Sequence, residues 1–218
     1  MICVTGYNTT IFWQLEKMLP AREKVFRIGR DDAANHQVDL ATFDSEKLCS
    51  GVPLDAERYL FCAGVLFPKR INEQTAEEIF ESLAVNMVSL IRLCEHVLEK
   101  NDRARIVIVG SESGFKGSYD TTYFLAKAAV HEYVRQRKIR SPQQQLVLLA
   151  PSAIEDSGMT QRREDLKATL DQENLLPKQR LLTAREVARA IYFLLYQDDG
   201  YISNAVIEMN GGKFALMG

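Results

Sequence analysis

At 218 residues, 46% of them hydrophobic and 26% charged, the chain can bury the core of one α/β domain, and its composition is neither that of a disordered segment nor that of a membrane protein. Its formal net charge of -2 leaves no positive excess to neutralise phosphates, which argues against nucleic acid as a partner. The basic run Arg135 to Arg140 suits a helix C-terminus. Cys3, Cys49, Cys62 and Cys94 are scattered without ligand-spaced histidines, so they read as buried apolar groups in a reducing setting and not as a metal site.

In chain order, Ile2 to Thr5 reads as a strand directly after Met1, with no basic leader or long apolar segment, so a cytoplasmic location away from the membrane is expected. Ile11 to Leu19 has apolar residues at helical spacing. Lys24 to Ile28 reads as a second strand, Val38 to Leu40 as a short third and Arg58 to Cys62 as a fourth. Thr75 and Glu78 have capping-box spacing. The stripe through Leu83, Met87, Leu90, Ile91, Cys94 and Leu98 then marks one long helix, or two abutting ones, to Lys100.

Arg105 to Gly110 carries an apolar run with no polar interruption, as a strand buried on both faces of a parallel sheet does. A helix from Thr122 to Ile139 and a strand from Gln145 to Ala150, stopped by Pro151, follow. Thr183 and Glu186 form a second capping box that opens a helix through Tyr196, and Ala205 to Met209 is the seventh strand. Regular alternation of this kind predicts one domain over residues 1–218, a Rossmann-like, doubly wound parallel sheet flanked by helices on both faces. Ligands of such sheets bind beyond the carboxyl ends of the strands, where strand order reverses. The weakly patterned stretch of about 152–182, with Met159, Arg162, Arg163 and Lys167, is the expected substrate loop.

After the fifth strand, "GSESGFKGSYDTTYFLAKAAV" puts Ser111 at a strand end and places Tyr123 and Lys127 four apart, on one helix face. A lysine beside a tyrosine favours the phenolate, which suits the phenol to proton transfer. In this setting the chain resembles the short-chain dehydrogenases/reductases over nearly its whole length. The quoted segment resembles their serine and Tyr-x-x-x-Lys block, and "CAGVL" resembles their Asn-Asn-Ala-Gly turn, keeping Ala63 and Gly64 but with Phe61 and Cys62 in place of both asparagines. "AVNMVSL" is similar to the helix that carries their active-site asparagine, here Asn86.

The resemblance implies an oxidoreductase that moves hydride between a nicotinamide cofactor and a carbonyl or alcohol. Tyr123 would act as acid and base, Lys127 would assist it and hold the nicotinamide ribose, Ser111 would bond the reacting oxygen, and Asn86 would hold a water. Expected cofactor contacts are Gly6, Thr10 and Ile11 in the opening loop, Asp39 and Leu40 near the adenine, Ala63 and Gly64, Tyr123 and Lys127, and Pro151 and Ile154. Arg30, at the end of the second strand, can pair with a 2′-phosphate and favours NADP, with NAD possible. The family also implies a homodimer or homotetramer through the Asn86 and Tyr123 helices.

Two departures stand against this pattern. Of the three glycines in the family's opening loop only Gly6 is present, and Thr10 and Phe12 occupy the other two places. After the sixth strand, "PSAIED" puts Asp156 where the family has a threonine. The opening loop keeps a second reading in play, a non-catalytic protein of the same fold that binds a partner or senses cofactor, with Phe12 occupying the phosphate site.

Overall fold

The structure, a computed structural model, describes residues 1–161 and 177–215. Arg162, Arg163 and Lys167 of the expected substrate loop lie outside them. The strands are β1 (Ile2–Thr5), β2 (Val25–Gly29), β3 (His36–Gln37), β4 (Arg58–Phe61), β5 (Arg105–Val109), β6 (Gln145–Pro151) and β7 (Ala205–Met209). They form one parallel sheet in the order β3-β2-β1-β4-β5-β6-β7, the doubly wound architecture expected. Strand order reverses between β1 and β4, so the loops after Thr5 and Phe61 flank the crevice.

The helices are α1 (Thr10–Glu16), α2 (Ser45–Cys49), α3 (Ala76–Leu83), α4 (Ser89–Lys100), α5 (Ser113–Lys116), α6 (Thr121–Gln136), α7 (Gly158–Gln161) and α8 (Ala184–Tyr192). Both capping boxes form, Thr75 with Glu78 on α3 and Thr183 with Glu186 on α8. A π-helical turn, Ala84–Val88, joins α3 to α4, and the Ser89 N–H reaches back to the Ala84 carbonyl. The long helix is therefore one body with one residue too many in its middle.

Residue alternation divides the core between the two faces. Cys3, Tyr59, Phe61, Ile106, Ile108, Leu146 and Leu148 pack with Leu90, Cys94, Val97, Val130 and Val134 of α4 and α6. Ile2, Val4, Leu60, Val107, Val109, Val147 and Leu149 pack with Ile11, Phe12, Leu15, Val187 and Ile191 of α1 and α8. All four cysteines are free and buried.

Besides shifts of one residue, three boundaries differ from expectation. Helix α1 ends at Glu16 and not Leu19. The third strand is His36–Gln37 and not Val38 to Leu40, because the chain turns at Asp39, whose carbonyl accepts from Thr42 N–H at 3.0 Å and whose carboxylate accepts from Ala41 N–H at 2.9 Å. Helix α6 ends at Gln136 and not Ile139, since Arg137 has extended backbone.

Candidate active site

The loops at the carboxyl ends of the strands enclose a cleft of about 1510 Å³. Ser111, Tyr123 and Lys127 line it, as does every cofactor contact expected above, whereas Asn86 and Phe12 do not. Tyr123 and Lys127 are buried at 7% and 3% exposure on one face of α6. The Lys127 ammonium stands 5.4 Å from the Tyr123 ring centre and donates to the Val109 carbonyl at 3.4 Å. Burial lowers the Lys127 pKa to about 8, and the nearby Cys62 opposes the shift.

Asp120, which the sequence reading passed over, fixes the start of α6. It is 1% exposed, and its Oδ1 accepts from Tyr123 N–H at 3.0 Å and from Thr122 Oγ1 at 3.1 Å. The same carboxylate accepts from Phe67 N–H at 2.6 Å and from Gln74 Nε2 at 2.9 Å, tying the loop after β4 to the helix that carries Tyr123. The one available signal was local, an aspartate directly before a helical pattern. Its partners on Phe67 and Gln74 were not legible.

Asn86 sits in the π-helical turn with no exposure. Its amide donates to the Val65 carbonyl at 3.0 Å and to Ser82 Oγ at 3.3 Å, and its Oδ1 accepts from Val65 N–H at 3.2 Å. The side chain thus lies behind the cleft and holds Val65, which lines it. At Gly64 a side chain would meet Asn86 Oδ1 at 3.0 Å and the Lys127 ammonium at 3.9 Å, so glycine lets the β4 loop pack closely against both groups.

His131, one turn beyond Lys127, is buried with its ring 4.6 Å from Phe115. Burial, reinforced by the charges of Arg135 and Lys127, lowers its pKa to about 4 and keeps it neutral at ordinary pH. Ser111 accepts at Oγ from Ser113 N–H at 3.1 Å, which orients the hydroxyl at the mouth of the loop.

In the opening loop Gly6 has φ +72°, and a side chain there would lie 2.5 Å from the Ala63 nitrogen. Thr9 caps α1 by accepting from Phe12 N–H at 3.2 Å. Thr10 and Ile11 open on the cleft at the helix start, where N–H groups have no intrahelical acceptor. Phe12 is 1% exposed and packs among the apolar residues between α1, α8 and the sheet, while Trp13 is exposed under Lys17. The expectation that Phe12 occupies the phosphate site is corrected: helix geometry turns position 12 inward.

At the other end of the loop, the Asp31 carboxylate accepts from Tyr7 OH at 2.6 Å and from Asn8 Nδ2 at 2.7 Å. The bond from Tyr7 is the chief reason its pKa is lowered. Arg30 remains exposed, 3.8 Å from Asp39. Asp156 does not line the cleft, because its Oδ1 accepts from Ala184 N–H at 2.8 Å and caps α8. Ser157 and Thr160, bonded to each other at 2.9 Å, line the cleft in that region.

A family model described as enoyl-(acyl carrier protein) reductase matches residues 59–213. The 3-oxoacyl-[acyl-carrier-protein] reductase FabG of Vibrio cholerae is 30% identical over 161 residues, 71% of this chain. That match spans 65% of the relative, just under two thirds of its length. An uncharacterized oxidoreductase of Bacillus subtilis, YmfI, is 25% identical over 97% of this chain and 90% of its own. Among solved structures, a short-chain dehydrogenase/reductase from Brucella melitensis superposes with a TM-score of 0.83 at 22% identity, covering 99% of this chain and 96% of that one. A short chain dehydrogenase family protein from Francisella tularensis does so at 0.81 and 20%, covering 99% and 98%.

Proposed function

The chain belongs to the short-chain dehydrogenase/reductase family, and we propose that it transfers hydride between a nicotinamide dinucleotide, NADP in preference to NAD, and a carbonyl or alcohol substrate. The observation that carries this reading is the convergence on one cleft of the Ser111 hydroxyl, the Tyr123 phenol and the buried Lys127 ammonium.

The residues present fit such a cofactor. Gly6 brings backbone against the crevice and the α1 start presents N–H groups for a pyrophosphate. Arg30, Asp39 and Leu40 would hold the adenosine end, Ala63 and Gly64 the middle, and Lys127, Pro151 and Ile154 the nicotinamide end, all of them lining the cleft. Arg30 is exposed and its pairing with Asp39 is loose, at 3.8 Å, so its guanidinium can turn to a 2′-phosphate, which is the ground for preferring NADP.

A reduced nicotinamide, when bound, supplies the hydride that converts the carbonyl carbon to an alcohol carbon. Ser111 donates a hydrogen bond to the carbonyl oxygen and stabilises the charge that develops there. Tyr123 gives that oxygen its proton, and Lys127 stabilises the phenolate left behind until solvent reprotonates it. Alcohol oxidation runs the same steps backwards, with Tyr123 taking the proton. Asn86 holds Val65 and with it the cleft wall beside Gly64.

We place this chemistry in the cytoplasm, in a homodimer or homotetramer built through α3, α4 and α6. Phe80 and Leu125 are exposed there, beside the half-buried Leu83, Met87 and Ile91. Sedimentation that finds a monomer at micromolar concentration removes the oligomer. Calorimetric titration with NADPH and NADH tests the enzyme: micromolar binding of NADPH, weaker binding of NADH and turnover in a carbonyl screen are expected, and failure to bind either dinucleotide overturns the reading.

A further inference from the structure

Three charged side chains that the steps above do not use gather at the end of the cleft away from Arg30. Glu112 follows Ser111, and its N–H donates to the Pro151 carbonyl at 2.9 Å, which fixes the loop to the end of β6. Its side chain is only 6% exposed, and Oε1 accepts from Lys116 Nζ at 2.6 Å and from Lys213 Nζ at 3.3 Å. Oε2 is buried without a hydrogen-bond partner among the described residues. All three residues line the cleft.

The place of Lys213 in the sheet, with Glu112 bonded to it, sets the far end of the cluster beyond the cofactor. Arg30 and Asp39 follow β2 and β3 at one edge, whereas Lys213 follows β7 at the opposite edge. A dinucleotide running from Arg30 past Gly6 to Lys127 therefore ends short of Lys213. What lies beyond Ser111 on that side is the space left for the rest of a substrate whose carbonyl touches Ser111 and Tyr123.

Charge decides what that space suits. Two ammonium groups against one carboxylate leave the cluster with a net positive charge. Each ammonium has three donors, of which Glu112 takes one, while Glu112 turns its remaining oxygen into the protein. The cluster therefore offers the cleft donors and positive charge. Burial, with the charge of Lys116, lowers the Lys213 pKa against the opposing pull of Glu112, and an incoming anion would favour its charged form. A buried carboxylate is expensive to keep unless it is well compensated, and here it holds two cations at fixed positions.

We propose that Lys116 and Lys213, clamped by Glu112, bind an anionic group of the carbonyl substrate, a carboxylate or a phosphate, so that the chain acts on acidic carbonyl compounds in preference to neutral ones. The inference rests on the hydride-transfer reading for the position of the carbonyl, and its test reads binding, not turnover.

Ligand-detected NMR with the full chain, with and without NADP⁺, would compare pyruvate, acetoacetate and levulinate with their methyl esters, and dihydroxyacetone phosphate with dihydroxyacetone. At least one anion should bind about tenfold or more tightly than its neutral counterpart, the gain of one charge-assisted contact. A preference confined to the carboxylate pairs or to the phosphate pair identifies the group. Lys116→Gln and Lys213→Gln should each shrink the preference, whereas a purely structural clamp would lower Tm and leave the ratio unchanged. Equal binding within every pair, no binding of any probe, or an unchanged ratio in folded lysine variants overturns the proposal. An anion preference that survives when neither dinucleotide binds leaves the anchor standing and removes the hydride-transfer reading instead.

Discussion

Lys127 stands with its ammonium 5.4 Å from the centre of the Tyr123 ring, and both side chains are largely buried at the wall of the cleft. A phenol so placed can give up a proton next to a fixed positive charge. Tyr123→Phe keeps the ring and removes the proton. Turnover should fall by about 10²–10⁴-fold, the range for one general acid or base, with dinucleotide affinity nearly unchanged in the same titration. Retained turnover would remove Tyr123 from the mechanism.

Lys127 also makes stability depend on pH. Its pKa falls from 10.5 unfolded to about 8 folded. The folded state therefore bears a penalty that is full below pH 8 and disappears as pH rises towards the unfolded value. That shift corresponds to about 3 kcal/mol, partly offset by the bond to Val109, about 1 kcal/mol. Lys127→Met should thus be more stable than the parent at pH 7 by about 2 kcal/mol in urea, and the advantage should shrink at pH 10.

Phe12 is a core residue in a position where the family's loop has glycine. Phe12→Gly should cost about 3–5 kcal/mol, as loss of a buried aromatic does, and should not tighten NADPH binding. Chemical denaturation beside calorimetry separates the two effects, and tighter binding in the variant would contradict the inward orientation of the ring.

Asp120 joins the start of α6 to the loop after β4. Asp120→Ala leaves Phe67 N–H without its acceptor, costs the Gln74 amide one of its two acceptors and removes the helix cap. A loss of about 2–4 kcal/mol is expected, with a fall in kcat because Tyr123 loses its anchor. Asp120→Asn, which keeps one acceptor oxygen, should lose less of both.

Arg30 bears on the choice of dinucleotide. Arg30→Ala should weaken NADPH binding about tenfold and leave NADH binding almost unaltered, since only the 2′-phosphate meets the guanidinium. Equal losses for both would show that Arg30 reads no phosphate. Tyr7 and Asn8 hold Asp31 a residue away, so releasing that carboxylate with Tyr7→Phe is the complementary control.

The strands and long helices were legible because their information is local. Val107 to Val109 are uniformly apolar, and Thr75 with Glu78 and Thr183 with Glu186 announce two helix starts without help from elsewhere. The short helix α2 was not legible, since its five residues show too little of the helical period. Ser111, Tyr123 and Lys127 could be placed on one cleft because the block after β5 resembles the family's serine and Tyr-x-x-x-Lys pattern. The surroundings of Asn86 could not, because its amide is committed to Val65, a partner chosen by the fold. The same holds for Asp156, which sequence position puts near the nicotinamide and which a bond to Ala184 takes away. Phe12 looked like an obstruction only while the rotation of α1 was unknown.

The contact between Gly6 and Ala63 makes two distant loops one unit of variation. With backbone from the β4 loop filling the space where a side chain at position 6 would lie, neither loop can be redesigned alone: a graft that reshapes the turn after β1 must carry a matching turn after β4. Attempts to convert this cleft to another ligand should therefore exchange the two segments as a pair and leave the intervening β2 and β3 in place.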